Sequence, residues 1–173
     1  MPYNIKTKQI LDFVTMLFTV SCLSLAVWSI KIYRNTLIDW RILALIVIIG
    51  IVTFTIIFWH ILLQVGYTIW AIVFISCTCG GCLSHFGFLY LNKTFADVET
   101  ISDSFNIERT GELAKGRHGC GEPYAVINFN NLEKEIVFPC DFSGKIKEYS
   151  KIKILYSKGF LGFYVIKAKN LLK

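Results

Sequence analysis

The middle of the chain contains a long run of residues without charge. From Ile42 to Asn92 none of the 51 residues is Asp, Glu, Lys or Arg, although 17% of the whole chain is charged. Such a run is typical of a membrane protein, because charged side chains are costly in hydrocarbon. As one helix it would extend about 75 Å, against a hydrocarbon core of roughly 30 Å. The run therefore predicts two helices joined by a tight turn.

Three transmembrane helices are predicted in all. The break in the run is predicted at "HILLQVGYT", where His60, Gln64 and Gly66 interrupt the apolar residues, which places the turn near residues 64–66. An earlier apolar segment is too long for the core of a signal peptide, so it predicts a retained anchor. The predicted helices cover about residues 10–32, 42–62 and 68–91, within a transmembrane domain of residues 1–92.

Residues 93–173 are predicted to form a soluble β domain, because charged and apolar residues alternate there. "YAVINF" and "KEIVF" flank "NNLE", and "KIKILY" and "FYVIKA" flank "SKGFLG", which predicts two hairpins. In "KIKILY", Ile152, Ile154 and Tyr156 would share one face. The stretch before the hairpins could supply one or two more strands. The predicted fold class is membrane α + β: three transmembrane helices followed by a small antiparallel β-sheet or barrel of four to six strands.

The stretch "SCTCGGCLSH", residues 76–85, concentrates cysteine and glycine within the third predicted helix. On a helical projection its small residues and a following glycine share one face, which favours close helix packing in lipid. The predicted packing residues are Ser76, Cys77, Gly80, Gly81, Ser84 and Gly87. An alternative is thiol-redox or metal chemistry by Cys77, Cys79, Cys82 and His85. No metal site and no cofactor is assigned, because zinc and iron–sulfur motifs normally lie in loops.

A glycine-rich stretch, "RTGELAKGRHGCGEP", is predicted to be a loop at the surface of the β domain. Its cations make it the candidate partner-binding loop, through Arg109, Lys115, Arg117 and His118. The glycine spacing matches no phosphate-binding loop. The expected partners are membrane lipid and either a protein partner or a second copy of the chain, and no nucleic acid is expected.

Two observations bear on membrane topology, and they disagree. Lys31, Arg34, Arg41 and Lys93 lie on one predicted side of the membrane, against two lysines on the other. Because short-loop cations remain inside, this count places the β domain in the cytoplasm of a multi-pass protein of the cell (inner) membrane. Cys120 and Cys140, however, flank the first hairpin as a candidate disulfide, which would require an oxidising compartment.

The predicted function is that of a small integral membrane protein without catalytic activity. No serine-hydrolase, zinc-protease or paired-carboxylate motif is present in the sequence, and no catalytic residue is assigned. We expect an adaptor or accessory subunit that presents its β domain to a protein partner, in one version an immunity-type protein. The alternative is a thiol-redox or metal-binding membrane protein that uses the cysteine–histidine cluster of the third helix or the pair Cys120 and Cys140.

Overall fold

The structure is a computed structural model that describes residues 5–115, 119 and 121–173. The chain forms two compact units. The helical unit contains the residues up to Lys31 together with Trp40–Tyr90, and the β unit contains Ile32–Asp39 together with Leu91–Lys173. The connection between the first two helices therefore belongs with the strands. The predicted boundary at residue 92 separates the part of the chain expected in lipid from the part expected in water. It stays a prediction.

The three long apolar helices that the sequence predicts are present. They are α1 (Ile5–Arg34), α2 (Trp40–Val65) and a third helical segment that runs from Ile69 to Thr94. Within the described residues, these are the helices long and apolar enough to cross a membrane. Most of their large apolar side chains face outward, as is expected where lipid is the solvent.

The turn between α2 and the third segment lies where the sequence places it. Gly66 has a φ of 89°, a left-handed conformation that glycine adopts without steric cost. Its N–H donates to Leu63 O at 2.9 Å, and Tyr67 N–H donates to Leu62 O at 3.2 Å. This is the Schellman arrangement that ends a helix. Thr68 caps the next helix by accepting a hydrogen bond from Ala71 N at 3.4 Å.

The third segment is not a uniform α-helix. It consists of α3 (Ile69–Ile75), a π-helical turn (Ser76–Gly80) and α4 (Gly81–Thr94). The π-turn coincides with "SCTCG", the first half of the cysteine-rich motif. A π-turn accommodates one extra residue, so side chains beyond it are rotated away from their positions on a regular α-helical projection.

The β unit contains two antiparallel sheets. The first has the strand order β1 (Thr36–Leu37), β7 (Tyr164–Leu172), β6 (Lys151–Lys158) and β2 (Ile101–Asn106). The second has the order β3 (Arg109–Glu112), β4 (Pro123–Phe129) and β5 (Leu132–Val137). The prediction of four to six strands in one sheet or barrel thus missed two short strands. β1 comes from the connection between α1 and α2, and β3 comes from the predicted glycine-rich loop.

Both predicted hairpins are confirmed. β4 and β5 are joined by Asn130 and Asn131, whose φ values of 51° and 66° suit a tight primed turn that matches the twist of the strands. The turn is two residues shorter than predicted, because Phe129 pairs directly with Leu132. β6 and β7 form the second hairpin, with an irregularity of register next to Tyr156.

One apolar core serves both sheets of the β unit. Ile152, Ile154 and Tyr156 of β6 point into it, as the alternation in the sequence predicts. They pack with Ile127 of β4 and Ile136 of β5. On β6 the lysines that alternate with these residues, Lys151 and Lys153, are exposed.

Candidate functional site

The packing face predicted on the third segment lies against Gly50 of α2. A Cβ atom at Gly50 would lie 2.2 Å from Ser84 Oγ and 2.8 Å from Gly80 O. A Cβ atom at Gly80 would in turn lie 2.9 Å from Gly50 O. Gly81 lies over Val47 of α2. The backbones therefore approach as closely as two glycines allow, which is how helices associate in lipid. Gly50 was not among the predicted packing residues.

Two of the six predicted packing residues, Cys77 and Gly87, are loosely packed. Cys77 is exposed, and a Cβ atom on Gly87 would have no neighbour within 4 Å. Ser76 is buried, but its hydroxyl has no hydrogen-bond partner among the described residues. The predicted residues that contact α2 directly are thus Gly80, Gly81 and Ser84.

The cysteines of the motif do not form one cluster with His85. Cys79 is buried in the same apolar cluster as Cys22 of α1, and its Sγ lies 3.8 Å from Thr19 Oγ1. Cys82 is partly buried against the same cluster, whereas Cys77 faces outward. Among the described residues, no group of three His, Cys, Asp or Glu side chains has an arrangement that could hold a metal ion.

His85 has a specific partner in α1. Its Nδ1 lies 2.8 Å from Ser29 Oγ, and the same hydroxyl donates to Ala26 O at 2.6 Å. The Ser29 hydroxyl therefore lies within hydrogen-bond distance of both the α1 backbone and the His85 ring. The histidine thus serves as a polar contact between α1 and α4.

The candidate partner-binding loop is shorter than predicted. Arg109 lies in β3, where it pairs with Val126 of β4 and forms an exposed ion pair with Glu133 at 3.6 Å. Lys115 is exposed, and Arg117 and His118 lie outside the described residues. Gly111 lies under the Tyr124 ring, and a Cβ atom there would lie 2.4 Å from the hydroxyl oxygen of Tyr124.

The candidate disulfide between Cys120 and Cys140 stays a prediction, because Cys120 lies outside the described residues. Cys140 begins a short 3₁₀ turn, Cys140–Phe142, which follows β5.

A buried lysine in the β unit was not recognised in the sequence. Lys134 of β5 donates to Tyr33 O at 3.0 Å, and its Nζ lies 3.8 Å from the centre of the Tyr33 ring. Burial lowers the pKa of Lys134 from 10.5 to about 8, with Glu135 acting in the opposite direction. The alternating charges of β5 gave no signal of this, because a lysine in such a pattern is expected to face water.

The β unit also contains a cavity of about 490 Å³. Its aromatic wall consists of Phe138, Phe142 and Tyr149, whose neighbouring rings meet edge to face. Lys169 of β7 lies at this wall, 5.3 Å from the centre of the Phe138 ring, and donates a hydrogen bond to Val137 O. Burial lowers the pKa of Lys169. The remaining lining residues are Pro139, Asn170 and Leu171. We call this the aromatic cavity.

The aromatic cavity is suited to recognition. Its walls offer flat apolar surface for an aromatic or aliphatic side chain, and the ammonium group of Lys169 offers one positive charge. No protein-family model, curated protein or solved structure matches this chain.

Proposed function

We propose that this protein is a non-catalytic, multi-pass membrane adaptor or accessory subunit whose β unit binds a protein partner. The observation that carries the proposal is the aromatic cavity. Clustered aromatic side chains in a preformed recess are the usual anchor sites of protein interfaces. Lys169 at the wall of the recess favours a partner segment that combines an apolar side chain with a carboxylate.

The helical unit supports the membrane part of this proposal. Three helices of spanning length, with most large apolar side chains facing outward, suit an integral protein of the inner membrane. The excess of short-loop cations on the side of Arg34 and Lys93 favours a cytoplasmic β unit. An accessory subunit of a larger complex and an immunity-type protein that neutralises a membrane-active toxin both fit this arrangement, and so does association of two copies.

Crosslinking in native membranes tests the proposal. The wild-type chain at its natural level is expected to co-purify with one stoichiometric partner. Phe142→Ala removes an aromatic wall and is expected to weaken that complex by about tenfold or more, the usual effect of losing an interface anchor. Leu172→Ala is the matched control, because Leu172 is an exposed apolar residue of β7 outside the cavity. A monomeric wild-type chain without a partner, or equal losses in both variants, would contradict the proposal.

A second candidate function is thiol or metal chemistry in the helical unit. The buried cluster that contains both Cys22 and Cys79 favours it, because it brings cysteines from two different helices into one group. Metal analysis and thiol counting on the purified protein separate the two functions. Bound metal in stoichiometric amount, or a bond between these cysteines, would support the second candidate, whereas metal-free protein in which both thiols titrate would exclude it.

A further inference from the structure

The turn between β6 and β7 carries apolar side chains at its tip. Gly162, with a φ of 89°, donates from its N–H to Gly159 O at 2.9 Å, which closes the turn tightly. Phe160 and Leu161 lie between these glycines and are 64% and 38% exposed. A surface turn normally carries polar residues, so large apolar groups at this tip indicate that something other than water covers them.

Asn92 holds this turn in place. It is fully buried, its Nδ2 donates to Phe163 O at 2.9 Å, and its Oδ1 accepts from Leu161 N at 3.0 Å. Phe160 N also donates to Asn92 O at 3.2 Å. Asn92 lies in the last turn of α4, so the tip is attached to the end of the third spanning segment by three hydrogen bonds.

A third apolar side chain continues the surface. Phe95 follows Thr94, the last residue of α4, and is 60% exposed. Its ring centre lies 5.8 Å from that of Phe160. Phe95, Phe160 and Leu161 therefore form one patch, which we call the apolar patch.

We propose that the apolar patch inserts into the membrane interface, at the boundary between lipid headgroups and acyl chains. The third segment is of spanning length and ends at Thr94, so the residue that follows lies at headgroup level. Exposed aromatic side chains at this level are stabilised by partial burial in lipid. The proposal rests on membrane insertion of the third segment, as the proposed function does.

Charge is not the driving force of this contact. Lys93 and Lys158 lie near the patch in the chain, but the acidic Asp97 and Glu99 balance them. Asp97 N also donates to Lys158 O at 2.8 Å. This hydrogen bond places an acidic residue next to a basic one at the end of β6. Insertion is therefore expected in a bilayer of neutral phospholipid as well as in an anionic one.

Photocrosslinking of the full-length protein in liposomes tests the proposal. The photoreactive residue p-benzoylphenylalanine would replace Phe160, and lipid adducts would be measured by mass spectrometry after reconstitution in phosphatidylcholine alone and with phosphatidylglycerol added. Two matched positions serve as references. Phe74 of α3 is 63% exposed and lies inside a spanning segment, and the Glu133 side chain of β5 is 65% exposed. All three substitutions are at the surface, so none disturbs a core.

The three positions give distinguishable outcomes. We expect lipid adducts at 160 that approach those at 74 and exceed those at 133 by about tenfold, in both membranes, as burial of a phenylalanine side chain implies. Adducts at 74 with none at 160 would overturn this inference, whereas the proposed membrane insertion of the helices would still hold. No adducts at either position would contradict membrane insertion itself. Adducts to protein at 160, or to lipid in the anionic membrane alone, would also overturn the inference.

Discussion

Replacing Gly50 by alanine is expected to separate α2 from the third helical segment. The new methyl group would lie 2.2 Å from Ser84 Oγ, 2.3 Å from Ser84 Cβ and 2.8 Å from Gly80 O. Ordinary contact begins near 3.4 Å, so one helix must move by about 1 Å. The obstacle includes a backbone oxygen, which a side-chain rotation cannot clear.

The magnitude follows from two opposing terms. Alanine is a better helix former than glycine by about 1 kcal/mol. Overpacking of a close contact typically costs about 1 to 3 kcal/mol, and more where backbone must shift. Because backbone must shift here, we take the upper part of that range, about 2 to 3 kcal/mol, and expect a net loss of about 1 to 2 kcal/mol. This corresponds to a fall in melting temperature of roughly 2 to 8 °C for a chain of this size.

Thermal unfolding of the detergent-solubilised protein, followed by circular dichroism, measures this loss. Gly87→Ala is the matched control, because it makes the same change in the same unit where a Cβ atom has no neighbour within 4 Å. It should leave the melting temperature unchanged or raise it. Adding Ser84→Gly to Gly50→Ala should recover part of the loss, since it removes two of the three close contacts. Equal effects of the two alanine variants would refute the packing interpretation.

Two further predictions concern the β unit. Because burial lowers the pKa of Lys134 from 10.5 to about 8, the unfolded state binds more protons between these pH values. The free energy of unfolding should therefore rise by about 2 to 3 kcal/mol from pH 8 to 10. Tyr156, whose pKa is raised to about 12 by burial and by Asp103, acts in the opposite sense, but above this pH range. Urea unfolding checks this rise, and an unchanged pH slope in Lys134→Met would contradict it. Asn92→Ala removes two side-chain hydrogen bonds from the β6–β7 turn, so it should lower the free energy of unfolding by about 1 to 3 kcal/mol. It should also speed hydrogen exchange at the Leu161 amide. Exchange at the wild-type rate would show that the turn holds without Asn92.

The features that sequence alone predicts here are those with a short-range physical cause. The three long apolar helices follow from a run of residues without charge, a property that depends on the residues themselves and not on their neighbours in space. The β4–β5 hairpin follows from two asparagines that tolerate positive φ between alternating strands. The buried face of β6 follows from the period of two along a strand.

The candidate sites were predicted less well, because they depend on contacts between distant residues. Gly50 looks like any other residue of an apolar helix until Gly80 and Ser84 lie against it. The π-turn at Ser76–Gly80 departs from the regular α-helix that the projection assumed, and no local propensity signals such a turn. In the sequence Lys134 has the pattern of a surface lysine. Its hydrogen bond to Tyr33 O forms only in the folded chain.

The sequence by itself thus determined that this chain has three apolar spans and an antiparallel β unit with two hairpins, since hydrophobicity and backbone preference act over a few residues. Tertiary structure alone decided which glycines touch, which cysteines meet and where the aromatic cavity forms. Those contacts depend on the relative placement of side chains tens of residues apart, and a change of one residue in helical register, such as the π-turn introduces, is enough to redirect them.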